Sequence, residues 1–338
     1  MLSSNAPLQR SSAAGAALSA RELVIEIATN GSWRPVVRGV SLDLGKGQVT
    51  ALVGETGSGK TMTALALVGL LPPAARRTSG RVFLGHEEVS TATAQAGARG
   101  RRISMIFQDP MTALNPVLTI GFQVTEPMRA HLGLDARAAQ ERARKLLEQL
   151  HMPDPTGVLA RYPHELSGGM RQRALIAVAL ACDPEILLAD EPTTALDVTI
   201  QAQILDLLRE QVDQHGLAVL LVTHDLGVAA QVADRIEVMY GGAIVEGGSV
   251  EQVLRRPNHP YTRGLLACVP RVDARVRPLP TLPGNPHGVW TIDAGCRFAP
   301  RCADATATCA STEPPRTAVE GGHSSACWVY ARPPAAAQ

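Results

Sequence analysis

The sequence has neither an excess of charge of one sign nor a long apolar run. Its 338 residues include 32 Lys and Arg against 31 Asp and Glu, which gives a formal net charge of +1. This balance excludes nucleic-acid binding that is driven mainly by electrostatic attraction, because such binding needs many unopposed basic side chains. The best apolar runs, such as residues 217–223, are far shorter than the roughly 18 residues that a membrane-spanning helix needs. We therefore expect a globular protein that has no membrane span of its own.

A secretion signal and an ordinary share of lysine are also lacking. Residues 1–20 are rich in Ser and Ala but have no leucine-type apolar stretch, so we interpret them as the disordered tail of a cytoplasmic protein. The basic side chains are nearly all Arg, and the only lysines are Lys46, Lys60 and Lys145. The position of each lysine is therefore informative.

Alternating strand-like and helix-like segments predict an α/β fold. The strand-like segments are 22–27, 37–44, 48–53, 103–107, 185–189, 217–223 and 235–240. Several of them are continuously apolar, which is typical of strands buried on both faces of a largely parallel sheet. Helical patterns follow Lys60 and cover 136–151 and 198–212, where Asp197 is a suitable N-cap. Residues 112–182 lack clear strands, which indicates a helical insertion.

A glycine-rich loop lies between the strand at 48–53 and the following helix. It matches the pattern GxxxxGK[ST], and its residues are Gly54, Glu55, Thr56, Gly57, Ser58, Gly59, Lys60 and Thr61. In this strand–loop–helix context the pattern predicts that backbone N–H groups and the helix N-terminus hold phosphate oxygens. Lys60 would supply charge to the β- and γ-phosphates, and Thr61 a hydroxyl ligand to Mg²⁺. A chance glycine-rich turn is the weaker interpretation.

Two carboxylates end the apolar strand at 185–189. Asp190 is a candidate Mg²⁺ ligand, and Glu191 is a candidate general base for the attacking water. Acidic strand ends are often merely solvated. The phosphate loop upstream makes the catalytic interpretation the better one.

Further motifs, in the right order, identify a family. Ser167, Gly168, Gly169 and Met170, within LSGGMRQR, resemble the signature of the ATP-binding cassette (ABC) family. Gln108 matches its Q-loop, residues 194–197 match its D-loop, and His224 matches its switch histidine. The resemblance implies a P-loop ABC nucleotide-binding domain over 21–256, with a RecA-like core, an antiparallel β subdomain and a helical subdomain at about 112–182.

The resemblance extends to a subfamily. Residues 107–126, 190–208 and 258–266 look like the ATP-binding subunits of bacterial dipeptide, oligopeptide and nickel importers. This implies an ATP hydrolase, a translocase subunit that energises import of di- or oligopeptides. Import of nickel or another small solute is the alternative. A nucleic-acid-linked cassette ATPase is less favoured, because such proteins usually carry two cassettes or a long coiled coil. A redox-sensing regulator would not need an intact Glu191 and His224.

The family implies a set of partners and a division of roles. Two cassettes, expected to be different chains, pair head to tail around two ATP molecules and work with two membrane permeases and an extracytoplasmic solute-binding protein. Nucleic acid is not a partner, and the position is peripheral, at the cytoplasmic face of the cell membrane. Residues 54–61, Gln108, Asp190, Glu191 and His224 would serve one ATP, with Gln108 also near Mg²⁺. Residues 167–170 would reach the ATP of the partner cassette.

The sequence departs from the family pattern at the adenine contact. Cassettes usually carry an aromatic residue in the first strand that stacks on adenine, and the corresponding position is Ile27. Trp33 lies nearby and is the alternative contact.

Four cysteines stand close together in a segment, 257–338, that is rich in Pro and Gly. Cys296, Cys302, Cys309 and Cys327 follow the spacing C-x5-C-x6-C-x17-C. Such a loop-rich module has little core of its own, which favours a metal staple. A 4Fe–4S cluster is the leading candidate, which the subfamily resemblance also supports. Structural Zn²⁺, a disulfide or free thiols are the alternatives. We expect the centre to be structural and not to touch ATP, with Arg297 and Arg301 offsetting its charge.

Overall fold

The computed structural model describes residues 15–29, 31–194, 196–269, 281–285, 289–290, 292 and 294–329. Its strands are, in chain order, β1 (Ala16–Thr29), β2 (Ser32–Gly45), β3 (Val49–Val53), β4 (Ala75–Leu84), β5 (Glu87–Glu88), β6 (Ile103–Ile106), β7 (Ile186–Asp190), β8 (Ala218–Thr223), β9 (Arg235–Tyr240), β10 (Ala243–Ser249), β11 (Thr317–Ala318) and β12 (Ser324–Ser325). Its helices are α1 (Lys60–Val68), α2 (Ala92–Ala98), α3 (Pro110–Ala113), α4 (Ile120–Leu132), α5 (Ala136–Gln149), α6 (Pro155–Leu159), α7 (Gly168–Leu180), α8 (Val198–His215), α9 (Leu226–Val232), α10 (Val250–Arg255), α11 (Pro260–Cys268) and α12 (Ala307–Ser311).

The strands form two sheets. An antiparallel sheet has the order β2-β1-β4-β5, and a mixed sheet has the order β11-β12-β10-β9-β3-β8-β7-β6. Strands β9, β3, β8, β7 and β6 run parallel to one another. All residues of β3, β7 and β8 are buried, which explains why these strands are continuously apolar in sequence. The predicted α/β fold with an antiparallel subdomain is confirmed.

The segment between β6 and β7 is helical, as predicted. Helix α5 covers most of the predicted 136–151 and buries Ala139, Ala143, Leu146 and Leu147, at helical spacing. These side chains pack into one hydrophobic cluster with α4, α7 and α8. Within the described residues, no helix is both long enough and apolar enough to cross a bilayer.

The N-terminal strand corrects one prediction. Strand β1 begins at Ala16, and Ala17, Leu18 and Ala20 are buried against the antiparallel-sheet core. The prediction of a disordered tail is therefore wrong for residues 16–20. Small Ala and Ser side chains give little hydrophobic signal in sequence, whereas pairing with both β2 and β4 supplies this segment with backbone hydrogen bonds.

The C-terminal extension packs directly on the cassette core. Strand β12 pairs with β10 and thereby joins the main sheet. Glu246 of β10 is fully buried; it accepts hydrogen bonds from the backbone N–H groups of Asn258 and His259 and lies 2.8 Å from Nε2 of His323. A buried carboxylate needs such partners, because an unpaired one would be costly. The described part of the extension is thus tied to the core by polar as well as apolar contacts.

Candidate nucleotide-binding and hydrolysis site

The parallel strands bring the predicted motifs to one edge of the main sheet. The phosphate loop follows β3, Gln108 follows β6, Asp190 ends β7 with Glu191 directly after it, and His224 follows β8. Carboxyl ends of parallel strands meet at one edge of a sheet, which is where α/β proteins bind their ligands. Residues that are up to 170 positions apart in sequence therefore face a common site.

The phosphate loop is closely packed at its base and open at its tip. A Cβ atom on Gly54 would lie 2.2 Å from the carbonyl oxygen of Met239, and Gly59 adopts a left-handed φ of 106° just before α1. Both positions therefore require glycine. Thr56 and Gly57 are exposed, whereas Ser58 is buried. Gly54 and Ser58 are thus packed against the protein, whereas Thr56 and Gly57 are accessible to a ligand.

Lys60 lies inside the loop. Its Nζ atom donates hydrogen bonds to the carbonyl oxygens of Gly54 (2.8 Å) and Glu55 (3.0 Å). Burial lowers the pKa of Lys60, and the negative charges of Glu191, Asp190 and Glu55 oppose this effect. The ammonium group is positioned where an anion in the loop would pair with it.

Thr61 and Asp190 make a pair of oxygen donors. The Thr61 hydroxyl donates a hydrogen bond of 3.3 Å to Oδ1 of Asp190. Burial raises the pKa of Asp190, and the hydrogen bond from Thr61 partly offsets that effect. A buried carboxylate beside a hydroxyl is the ligand chemistry that Mg²⁺ prefers, so the residues present fit this ion.

Glu191 is held by three polar side chains. Its Oε2 accepts hydrogen bonds from Nε2 of Gln108 (2.9 Å) and from the hydroxyl of Thr194 (3.0 Å), and its Oε1 lies 2.9 Å from Nδ1 of His224. Burial acts to raise the pKa of Glu191, but the hydrogen bonds from His224 and Thr194, together with the positive charge of Lys60, outweigh it and keep the pKa below its usual value. The group is therefore an oriented carboxylate that can accept a proton. The sequence placed Thr194 only in the D-loop and gave no sign of this contact.

The signature residues, 167–170, form the N-terminal end of α7. Ser167 caps α7 by accepting a hydrogen bond of 3.3 Å from the N–H of Met170. A Cβ atom on Gly169 would lie 2.9 Å from Ile200, so α7 begins directly against α8. Among the residues that the structure describes, no hydrogen bond joins 167–170 to the phosphate loop. Ala195 of the D-loop lies outside the described residues.

The two candidates for the adenine contact differ in their surroundings. Ile27 is half-buried in β1, opposite Arg34 of β2 and Ala75 of β4. Trp33 is 41% exposed, and the Arg76 guanidinium lies 4.0 Å from its ring centroid. One face of the Trp33 ring is thus covered by a cation. The choice between them stays a prediction.

The four clustered cysteines line one cavity of about 310 Å³, and all four are free thiols. Burial raises the pKa of Cys296 to about 11 and also raises the pKa values of Cys302 and Cys327. In the described part of the chain, no three His, Cys, Asp or Glu side chains are arranged as ligands around a single metal ion. The cysteines therefore converge on one cavity without forming a preformed ion site.

Arg301 pairs with Glu55 of the phosphate loop, a contact that the sequence analysis did not predict, and its effect on the charge of a cysteine centre stays a prediction. Arg297 lies with its guanidinium 5.6 Å from the ring centroid of Trp290.

Two family models match the chain. The ABC transporter model matches residues 37–194, and the model described as oligopeptide/dipeptide transporter, C-terminal region, matches residues 245–309. The first match contains the phosphate loop, the signature, Asp190 and Glu191. The second covers part of the extension and includes three of the four clustered cysteines.

Named relatives and a solved structure are similar to this chain over most of their lengths. The dipeptide transport ATP-binding protein DppD of Bacillus subtilis is 46% identical over 315 residues, which are 92% of this chain and 94% of that protein. A putative peptide import ATP-binding protein of Brucella abortus is 45% identical over 312 residues, with the same coverage. The dimeric bacterial ABC transporter cassette MJ0796 superposes with a TM-score of 0.62 at 26% identity, over 69% of this chain and 98% of that one.

Proposed function

Because this chain belongs to the ABC transporter family, among its peptide-import ATP-binding proteins, we propose that it hydrolyses ATP to drive the import of di- or oligopeptides. The observation that carries the hydrolysis is the position of Glu191, which Gln108, Thr194 and His224 hold next to the Thr61–Asp190 pair. The peptide cargo rests on the named relatives, which favour it over nickel.

The residues divide the work of hydrolysis among them. The loop amides and Lys60 bind the phosphates, and Thr61, Asp190 and Gln108 would hold Mg²⁺, which neutralises charge on the β- and γ-phosphates when bound. Glu191 accepts the proton of the attacking water. His224 and Thr194 orient that carboxylate, and Gln108 links it to the metal side of the site.

We propose that two cassettes pair head to tail, as a heterodimer. In the described part of the chain, residues 167–170 make no hydrogen bond to the phosphate loop, and we infer that a second subunit supplies the signature that completes each ATP site. ATP then favours the closed pair, and its hydrolysis products do not.

ATPase activity of the isolated chain is expected to be low and to rise with protein concentration, because each complete site needs two subunits. Addition of the partner cassette or the permeases should raise it further. The measurement is steady-state phosphate release over a concentration series. A rate per chain that is high and independent of both concentration and partner would contradict the paired arrangement.

The proposed membrane contact lies beside the Q-loop. Phe107, Met111, Val117 and Phe122 are all exposed, and an exposed apolar group of this kind marks a contact surface. We propose that these side chains and residues 109–116 contact cytoplasmic segments of two permeases, so that the protein binds peripherally at the cytoplasmic face of the membrane. A solute-binding protein would deliver the peptide from outside.

Transport is tested by reconstitution. The chain, its partner cassette and the permeases are placed in vesicles with the binding protein, and uptake of a labelled dipeptide is measured with and without ATP. Uptake that requires ATP supports the proposal. Uptake of Ni²⁺ in place of peptide would reject the cargo while leaving the ATPase assignment intact.

We further propose that the four-cysteine cavity holds a 4Fe–4S cluster. Four thiols around about 310 Å³ fit a multi-atom group better than one Zn²⁺, whose ligand sulfurs must all lie within about 2.3 Å of it. Clusters of this type take four thiolates. The raised thiol pKa values mean that thiolates are costly here without a metal, so binding must release protons and is coupled to pH.

Replacement of any one of the four cysteines by Ser is expected to remove the bound group and loosen the extension. Cys182→Ser is the matched control, because Cys182 is also buried but does not line this cavity. The measurement is iron, sulfide and zinc analysis with absorption spectroscopy on anaerobically purified protein. About four iron atoms and four sulfides per chain would support the cluster. One zinc ion per chain would reject the cluster in favour of a zinc site. Absence of metal would reject both.

A further inference from the structure

The C-terminal extension reaches the phosphate loop through one buried arginine. Arg301 comes directly before Cys302, and only 4% of its side chain is exposed. Its Nη1 and Nη2 atoms donate to the two carboxylate oxygens of Glu55 at 2.7 and 2.9 Å, and its Nε donates to the carbonyl of Pro283 at 2.8 Å. A bidentate pair of this kind fixes both the position and the direction of the Glu55 carboxylate.

A second contact holds the backbone of the same loop residue. The N–H of Glu55 donates a hydrogen bond of 2.9 Å to the hydroxyl of Tyr261, which lies in α11 and is fully buried. Tyr261 packs against Tyr240 and Phe298, at ring distances of 4.6 and 5.4 Å. The rings of Tyr240, Tyr261 and Phe298 form an aromatic floor next to Glu55, at the beginning of the loop.

Glu55 also organises the loop internally. Its carbonyl oxygen accepts hydrogen bonds from Nζ of Lys60 and from the N–H of Ser58. A shift of Glu55 would therefore move the lysine and the loop amides that bind phosphate. Glu55 is moreover an anion within an anion-binding loop, and Arg301 neutralises it.

We propose that Arg301 and Tyr261 are positioning residues of the ATP site, and that the cysteine-bearing extension is a working part of that site. Arg301 places and neutralises Glu55, and Tyr261 orients its backbone. If the segment 296–302 is displaced, Arg301 no longer holds Glu55, and the affinity for ATP falls. This inference concerns ATP binding to the single chain and is independent of the transported solute.

The test is ATP affinity of the full-length chain, measured by equilibrium titration, for Arg301→Met. Methionine fills much of the same volume beside the rings but cannot pair with Glu55. Coupling between neighbouring sites commonly amounts to about 5- to 150-fold in affinity, and we expect a loss of roughly tenfold here. Tyr261→Phe, which removes only the hydroxyl, should cause a smaller loss of the same sign.

Arg316→Met is the matched control. Arg316 also belongs to the extension and also pairs with a core carboxylate, that of Glu237 in β9, but it does not touch the loop. Both arginine variants should lower the thermal unfolding midpoint, whereas only Arg301→Met should weaken ATP binding. Wild-type affinity in Arg301→Met, or an equal loss in Arg316→Met, would overturn the proposal.

Glu55→Gln tests the same contact from the loop side, because it changes the partner of Arg301 and leaves the extension itself unaltered. Because the two side chains act as one pair, Arg301→Met should cost much less ATP affinity in the Glu55→Gln background than in the wild type. An undiminished cost in that background would show that Arg301 acts elsewhere and would overturn the proposal.

Discussion

Glu191→Gln is expected to lower steady-state ATP hydrolysis by about 10²- to 10⁴-fold, the usual contribution of a positioned general base. ATP binding should remain close to that of the wild type. Gln keeps the size of the side chain and an oxygen that can still accept the hydrogen bond of Gln108, so the site keeps its shape. It cannot take a proton from water, so the chemical step is lost. The measurements are phosphate release and equilibrium ATP titration on the same preparation.

Glu185→Gln is the matched control for this prediction. Glu185 comes just before β7, at the end opposite Glu191, and pairs on the surface with Arg102. Its replacement should leave turnover unchanged. Near-normal turnover in Glu191→Gln would reject Glu191 as the base and shift attention to another proton acceptor.

Lys60→Ala is expected to weaken ATP binding itself. Hydrogen bonds to charged groups contribute about 1.5–3 kcal/mol, which corresponds to roughly 10- to 100-fold in affinity. The loop carbonyls of Gly54 and Glu55 also lose their donor, so the loop should become less ordered. The rate of hydrolysis should fall because less of the protein has ATP bound, and a higher ATP concentration should restore part of the rate. The checking experiment is a titration of binding and of rate against ATP.

Lys46→Ala provides the comparison. Lys46 is exposed in the turn before β3, and its loss should change neither affinity nor rate. The two principal variants are expected to differ in kind: Glu191→Gln should bind ATP without turnover, whereas Lys60→Ala should fail first at binding. The same behaviour in both would mean that binding and proton transfer are not divided between these residues as described.

The motifs that are local in sequence could be predicted well. The strand–loop–helix around Lys60, the N-cap at Asp197 and the buried strands β3, β7 and β8 each follow from periodicity and residue type within about 20 positions. The edge of β1 at residues 16–20 and strand β4 were not predicted. Most of their side chains are small or polar, and they become strands because neighbouring strands satisfy their backbone hydrogen bonds.

The sequence by itself determined the fold class, the family and the identity of the residues that can bind phosphate, hold Mg²⁺ and accept a proton, because these depend on residue type and short spacing. The tertiary structure alone decided which of them meet. In the folded chain the hydroxyl of Thr194 donates a hydrogen bond to Glu191. Arg301 pairs with Glu55, which lies 246 positions away in sequence, and no local pattern encodes that contact. The physical reason is that such pairs form only after the sheet, the aromatic floor and the extension have packed, and burial then makes an unpaired charge too costly to leave.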